Sequence, residues 1–142
     1  MVTTVAGGAY WGSTVSGWLV ASIDPFQLLV SIEAENQTAE WIETSRLFGL
    51  SVLPWTEQFL ADQFAGRTPR PAARFETIDH RIGGSGVPIF GRSIAWAECS
   101  LEGTVATGDH MCLLGPVSAS GSGDGDPLDP LVYYLRRYRR LR

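Results

Sequence analysis

The chain has 142 residues, 44% of them apolar and 18% charged, which is a single-domain length with a globular balance and too apolar for a disordered segment. Its eleven cations are all arginine and five of them stand in residues 133–142, so the first 132 residues hold six Arg against fifteen acids, a net charge of -9. An acidic body excludes a general nucleic-acid binder, which needs a basic face, and no run approaches the ~20 apolar residues of a membrane-spanning helix.

In chain order, Val2 to Val5 opens as a strand, Gly7-Gly8 marks a turn, and Ala9 to Val20 reads as a second strand in which small and hydroxyl residues interrupt the aromatics. Asp24-Pro25 closes it, because proline lacks a ladder donor and biases the residue before it to extended geometry. Leu28 to Ile32 follows as a short apolar strand, buried on both faces. The pattern turns helical over Asn36 to Arg46, with Asn36 or Thr38 as cap and Ala39, Ile42 and Leu47 as the inward stripe. Leu47 to Leu53 returns to strand and stops at Pro54, and Trp55 to Phe64 reads as a second helix ended by Gly66.

Residues 66–73 form a Pro/Arg loop, and extended segments are expected at residues 74–78 and at Val87 to Phe90, around the Gly83-Gly84-Ser85-Gly86 turn. Two long strands, Ser93 to Val105 and His110 to Ala119, are joined by Ala106-Thr107-Gly108-Asp109 as a hairpin loop. Ser120 to Asp126 has a flexible composition, and Pro127 to Tyr134 is a last extended piece before the arginine-rich end. Strands with two short helices inserted, and no regular strand-helix alternation, favour a small antiparallel barrel, since closure removes exposed strand edges.

Within the opening stretch, Gly12-Ser13-Thr14-Val15-Ser16-Gly17 sets small residues and hydroxyls where a barrel strand carries bulk. Consecutive N–H donors flanked by glycine and short hydroxyls suit a phosphate, and a tight strand crossing wants the same residues. Gly108-Asp109-His110 places a histidine at a strand start, where it serves either as a proton relay or as a half-exposed turn residue. Asp79-His80 repeats the dipeptide, but two such pairs without further ligands make no metal site. Cys99 and Cys112 fit neither a zinc spacing nor a disulfide framework and read as two buried thiols of a reducing compartment. No leader pattern precedes the first strand, so a cytoplasmic protein is expected. No Gly-x-Ser-x-Gly elbow, Walker loop or dinucleotide fingerprint is present. The tail alternates Tyr and Leu with Arg, as a solvated end or as a segment packed on a partner subunit.

Several of these residues line up with one family. Gly12-Ser13-Thr14-Val15-Ser16-Gly17-Trp18, then Ala21-Ser22-Ile23-Asp24-Pro25 and Leu28 to Ile32, resemble the Gly-x-Thr-x-Ser-Ser-Phe and Ser-Leu-Asp-Pro block of the short-chain flavin reductases. So do Ser45-x-x-Phe48-x-x-Ser51-Val52-Leu53, Gln58-x-Leu60-Ala61-x-x-Phe64-Ala65-Gly66, Arg74-Phe75, Gly86-x-Pro88, Glu98-Cys99, Gly108-Asp109-His110 and Pro130-Leu131-x-Tyr133-Tyr134. The blocks span nearly the whole chain in the family's order, although Gly17-Trp18 stands where a second Ser-Phe is usual and Ser51 where Asn is frequent.

The resemblance implies one domain over residues 1–142, a mainly β, antiparallel split β-barrel of Greek-key type with two short inserted helices, paired as a homodimer. It implies hydride transfer from NADH or NADPH to FMN or FAD, with the reduced flavin supplied to a partner flavin-dependent monooxygenase. A flavin-binding electron carrier or sensor on the same barrel is the alternative. By position, Thr14, Val15, Ser16 and Gly17 would contact the flavin phosphate and ring edge, Ser22 and Ser51 the ring, and His110 would act catalytically beside the nicotinamide. Nicotinamide and flavin are the implied ligands, with no metal, nucleic acid or membrane.

Overall fold

The computed structural model describes residues 1–66 and 75–141. The Pro/Arg stretch after Gly66, and Arg74 of the Arg74-Phe75 block, lie outside the described residues. The fold is mainly β, with twelve strands and two α-helices in the described chain. The strands are β1 Val2–Ala6, β2 Ala9–Ser13, β3 Gly17–Ile23, β4 Phe26–Glu33, β5 Leu47–Val52, β6 His80–Ile82, β7 Pro88–Phe90, β8 Ala95–Ser100, β9 Gly103–Thr107, β10 His110–Ser122, β11 Val132–Tyr134 and β12 Arg137–Arg139. Helix α1 spans Gln37–Ser45, and α2, Gln58–Phe64, follows a single tight turn over Trp55–Glu57.

Eight strands form one antiparallel sheet in the order β2-β1-β5-β8-β10-β4-β3, with β9 attached to β10. The long β10 serves two neighbourhoods. Its first half pairs with β4 and β9 and its second half with β8, and a register shift between Val117 and Ala119 bends the strand between them. Gly115 makes that passage possible, since a Cβ there would lie 2.8 Å from the Ser100 carbonyl and against the Phe48 ring. In this hydrogen-bonded path β2 and β3 stand at opposite ends, and no pairing among the described residues joins them.

Burial follows strand alternation. On β4, Leu28, Val30 and Ile32 enter the main core with Leu113 from β10, Phe48 and Leu50 from β5, and Ala39 and Ile42 from α1. A second cluster sets Leu60 and Ala61 of α2 against Met1, Leu53, Phe75 and Phe90. Asn36 caps α1 as expected, accepting from the Thr38 N–H at 2.8 Å, and Arg46 ends it in the left-handed conformation.

Several expected elements divide or shift. Ala9 to Val20 is two strands, because Thr14 leaves the sheet to bond α2. Leu28 to Ile32 buries one face fully and the other partly, since Leu29 and Ser31 face away from the core. Leu47 starts β5 instead of extending α1. Ser93 to Val105 is broken at Leu101-Glu102, where Leu101 turns into the core and its N–H bonds the Arg46 carbonyl at 2.8 Å. Phe75–Thr77 is a helical turn, whereas extended geometry was expected. The arginine-rich end is not a bare tail. Residues 132–139 form a hairpin, with Tyr133 and Tyr138 paired across it at 5.4 Å between ring centres. Among the described residues no helix is long and apolar enough to cross a membrane.

Candidate functional site

The segment Thr14-Val15-Ser16 is the bridge between the two ends of the sheet. Its departure from β2 is enforced by Thr14, whose N–H donates to the Phe64 carbonyl at 3.1 Å and whose hydroxyl donates to the Ala61 carbonyl at 2.7 Å. Both acceptors belong to the last turn of α2; the Thr14 N–H satisfies the Phe64 carbonyl, its hydroxyl adds to the Ala65 N–H already on the Ala61 carbonyl, and together they pin the crossing. Gly17 then re-enters the sheet opposite Ser31, where a Cβ would sit 3.1 Å from the Ser31 Cβ.

Two cavities flank this bridge. The larger, of about 820 Å³, is bounded by Tyr10 to Gly17, by Ser31 to Glu33 of β4, by Glu35 to Thr38 at the start of α1, by Gln63 to Gly66 with Phe75, and by His110. The smaller, of about 370 Å³, lies on the other side of Thr14, Val15 and Ser16 and is walled by Trp18, Ser51, Leu53, Leu131, Tyr133 and Tyr138, among others. The larger volume lies in the range of ~300–1,000 Å³ usual for small-molecule sites.

The donor set of the larger cavity is mostly main chain. Asn36 links the helix to the bridge, accepting from Thr38 N–H while its Nδ2 donates to Ser13 Oγ at 3.0 Å. The N–H groups of Val15, Ser16 and Gln37 find no acceptor among the described residues. Three donors at a helix start and a small-residue turn suit an anionic oxygen group, and the partial positive end of the helix dipole adds to them. Glu33 and Glu35 line the same cavity, and no described arginine does. For an anion placed there, the described wall offers those N–H dipoles together with short hydroxyls and, at the rim, His110.

His110 stands at the rim, directly across from Glu33 in the β10–β4 pairing. Its Nδ1 lies 2.8 Å from Asp109 Oδ1. That hydrogen bond, with the charge of His110, holds the Asp109 carboxyl below the usual carboxylate range. An ionised carboxylate only accepts, so Nδ1 carries the proton and Nε2 is the ring nitrogen left for other partners. Ser51 is 1% exposed, and its hydroxyl accepts from the Phe90 N–H at 3.3 Å while its N–H donates to the Met1 carbonyl at 2.8 Å. Cys99 is fully buried and burial pushes its thiol up to about 12; Cys112 is half-buried on β10.

Of the residues read from sequence, Thr14, Val15 and Ser16 line both cavities, Gly17 and His110 the larger, and Ser51 the smaller. Ser22 lines neither. It lies toward the far end of β3, opposite Gln27. The sequence reading gave Asn36 and Thr38 only a capping role and left out Ser31, Glu33 and Trp11. A helix start falling within three residues of a strand end, next to a glycine-rich segment, was the available signal for the α1 end. Ser31 and Trp11 carried none, since strand pairing alone brings them there.

Comparison with known proteins adds the following. The profile of the flavin reductase like domain matches residues 1–142. A probable flavin reductase of Rhizobium meliloti is 34% identical over 115 residues, covering 80% of this chain and 36% of that protein. The NADH-dependent flavin reductase StyB of Pseudomonas fluorescens is 29% identical over 135 residues, covering 92% of this chain and 74% of StyB. This chain thus spans about a third of the first relative's length and about three quarters of the second. Among solved structures, nitrilotriacetate monooxygenase component B from Mycobacterium thermoresistibile superposes with a TM-score of 0.90 at 26% identity, covering 99% of this chain and 77% of that one.

Proposed function

The chain belongs to the flavin reductase-like domain family, and on that premise we propose that it is an NAD(P)H-dependent flavin reductase, passing hydride from a nicotinamide to FMN or FAD. The observation that carries the reading is the cavity beside Thr14 to Gly17, with three N–H donors that find no acceptor among the described residues and small residues that let a ligand approach the main chain. The residues fit a flavin. The donors suit its phosphate, and the cavity has the volume and the open main-chain edge that a ring system needs.

A flavin bound there would supply the hydride-accepting ring and the reduced nicotinamide the hydride; the residues of the chain bind and orient the two. Val15, Ser16 and Gln37 N–H groups hold the anionic end, and Thr14, fixed to α2, keeps that cradle in place. Gly17 and Ser51 complete the site, Ser51 from the side of the smaller cavity, while Ser22, away from both cavities, is left out of it. His110, oriented through Nδ1 by Asp109, stands where the nicotinamide would stack and fixes its approach, since hydride transfer needs both rings face to face at contact distance.

The finer architecture is proposed with it: one domain over residues 1–142, built as a split barrel whose two sheet portions share β10. A homodimer is favoured by the outward face of β3, β4, β10 and β9. There Leu19, Leu29 and Leu114 form one cross-strand row, and Gly17, Ser31, Cys112 and Val105 the next. That face continues into the cavity through Gly17 and Ser31, so a second copy seated on it would wall the site. The name of component B, a monooxygenase component, supports a flavin-dependent monooxygenase as recipient, and the need for reduced nicotinamide favours work in the cytoplasm.

The test is an absorbance titration of the purified protein with FMN and FAD, followed by NADH or NADPH under anaerobic conditions. Bleaching of the flavin band at a rate set by protein concentration is the expected result. Failure of both nicotinamides with both flavins sinks the enzyme reading. Tight flavin retention without nicotinamide oxidation would mark an electron carrier instead. His110→Ala is expected to lower the hydride-transfer rate by roughly tenfold to a hundredfold, a loss typical of a removed orienting group, while flavin affinity holds. An equal fall in both would reduce His110 to a fold residue.

A further inference from the structure

We propose that the cavity-facing side of the Trp11 indole is a stacking platform for adenine, so that the larger cavity takes the adenosine half of a dinucleotide next to the phosphate cradle. The proposal rests on the flavin reductase reading and adds a subsite to it. Trp11 and Ser13 are two apart on β2 and share one face of that strand. Ser13 accepts from Asn36, so this face looks onto the first turn of α1, where the Gln37 N–H has no acceptor among the described residues. Trp11 therefore lies beside the donors and lines the same cavity.

The ring is fixed before any ligand arrives. Its N–H donates to the Ala6 carbonyl at 3.2 Å, and it stacks on Trp41 with ring centres 5.3 Å apart and planes 27° from parallel. Trp41 has its own indole N–H shielded with no acceptor among the described residues. A phenylalanine would avoid that cost, so the area of the Trp41 ring behind Trp11 is what this position uses. The result is a rigid two-ring pile, half-buried, at the edge of the cavity that holds the cradle. A mononucleotide flavin ends at its phosphate. A dinucleotide continues through a second phosphate into adenosine, and Trp11 is an aromatic wall of the same cavity on which its purine can stack. Stacking on such a face asks for a ring and not for hydrogen bonds.

Adenosine diphosphate occurs in FAD and in NADH, and the experiment separates the two sources. Binding of ADP, FMN and FAD to the full chain is measured by calorimetry for the wild type, for Trp11→Leu, which keeps apolar bulk without a ring, and for Trp11→Phe, which keeps a ring. The KM for NADH is measured alongside at saturating FMN. Trp11→Leu is expected to weaken ADP by roughly tenfold to a hundredfold, the loss of one base stack, with Trp11→Phe recovering most of it and FMN affinity unchanged in both. A parallel loss for FAD assigns the platform to the flavin; a raised KM for NADH with FAD unaffected assigns it to the nicotinamide. Unchanged ADP binding in Trp11→Leu, or equal losses for FMN and FAD, overturns the proposal. A wild type that binds neither flavin would instead refute the flavin reductase reading, while the ADP titration, which needs no flavin, still decides the platform.

Discussion

Glu98, on β8, is 3% exposed and accepts the N–H groups of Gly84 at 3.0 Å and Ser85 at 2.8 Å, one on each carboxylate oxygen. It is the anchor of the Gly83–Gly86 turn, and Gly83 must be glycine because a Cβ there would overlap the Glu98 carboxylate. Burial pushes this carboxyl up, but the Ser85 and Gly84 N–H groups and the nearby Arg81 charge outweigh it and leave it below the usual range. A carboxyl with a depressed folded pKa contributes stability that is complete above the ordinary glutamate value and disappears as pH falls through the folded value. Glu98→Gln sets an amide NH2 against one of the two donors and should cost about 1–3 kcal/mol at neutral pH. In denaturant titrations the gap between wild type and Glu98→Gln should narrow once pH drops below about 4; a gap independent of pH would mean the charge contributes nothing. Cys99, with its thiol held near 12 by burial, should resist alkylation in the native protein at neutral pH and react only on unfolding.

Among the elements, the β11–β12 hairpin departs furthest from local preference. Tyr134 pairs with Arg137, so Leu135-Arg136 is a two-residue turn, and both residues have positive φ, 50° and 60°. That turn type wants Asn-Gly, and a branched or long side chain there costs roughly 1–2 kcal/mol per residue. The hairpin persists because tertiary contacts hold it. Tyr138 packs on the second core cluster, and Arg140 makes a two-point ion pair with Asp129, through Nε at 2.8 Å and Nη2 at 2.5 Å. Arg136→Gly should therefore raise the unfolding midpoint by an amount equivalent to up to about 1 kcal/mol, with no change in flavin binding. A lowered midpoint would show that the Arg136 side chain itself stabilises the hairpin. The same competition explains why Ala9 to Val20 is not one strand. Its local pattern favours extension throughout, but two helix-end carbonyls of α2 claim Thr14.

For the molecule as a whole, the outward face of β3, β4, β10 and β9 is the feature a monomer does not account for. Leu19 is 50% exposed and Val105 61%, in cross-strand rows that side chains of a second copy would cover. Leu19→Asp should convert a dimer into a monomer in light scattering, and alkylation of Cys112, which shares that face, should speed up in the variant. A wild type that is already monomeric at micromolar concentration would remove the dimer from the account and, with it, any wall a second copy gives the cavity.

Strand and helix positions were largely legible from the chain, because alternation, capping residues and Pro or Gly stops act over a few neighbours: α1 with its Asn36 cap needed nothing more. The β9–β10 hairpin was legible in place but not in loop length, since Ala106 and Thr107, expected in the loop, pair with Met111 and His110 and leave Gly108-Asp109 as the turn. The residue pattern also carried the family, through blocks in fixed order along the chain. What the tertiary structure alone decided is where those pieces meet. Strand pairing brought Ser31 and His110 to one rim, while Thr14 left its strand for α2 and turned a small-residue run into a bridge between two cavities. The Trp41 ring came to lie behind Trp11 through packing of α1 on the β1–β2 hairpin. Local chemistry sets what each segment prefers, and contacts between residues far apart in sequence set which preference is overruled; the cavity is made almost wholly of the second kind.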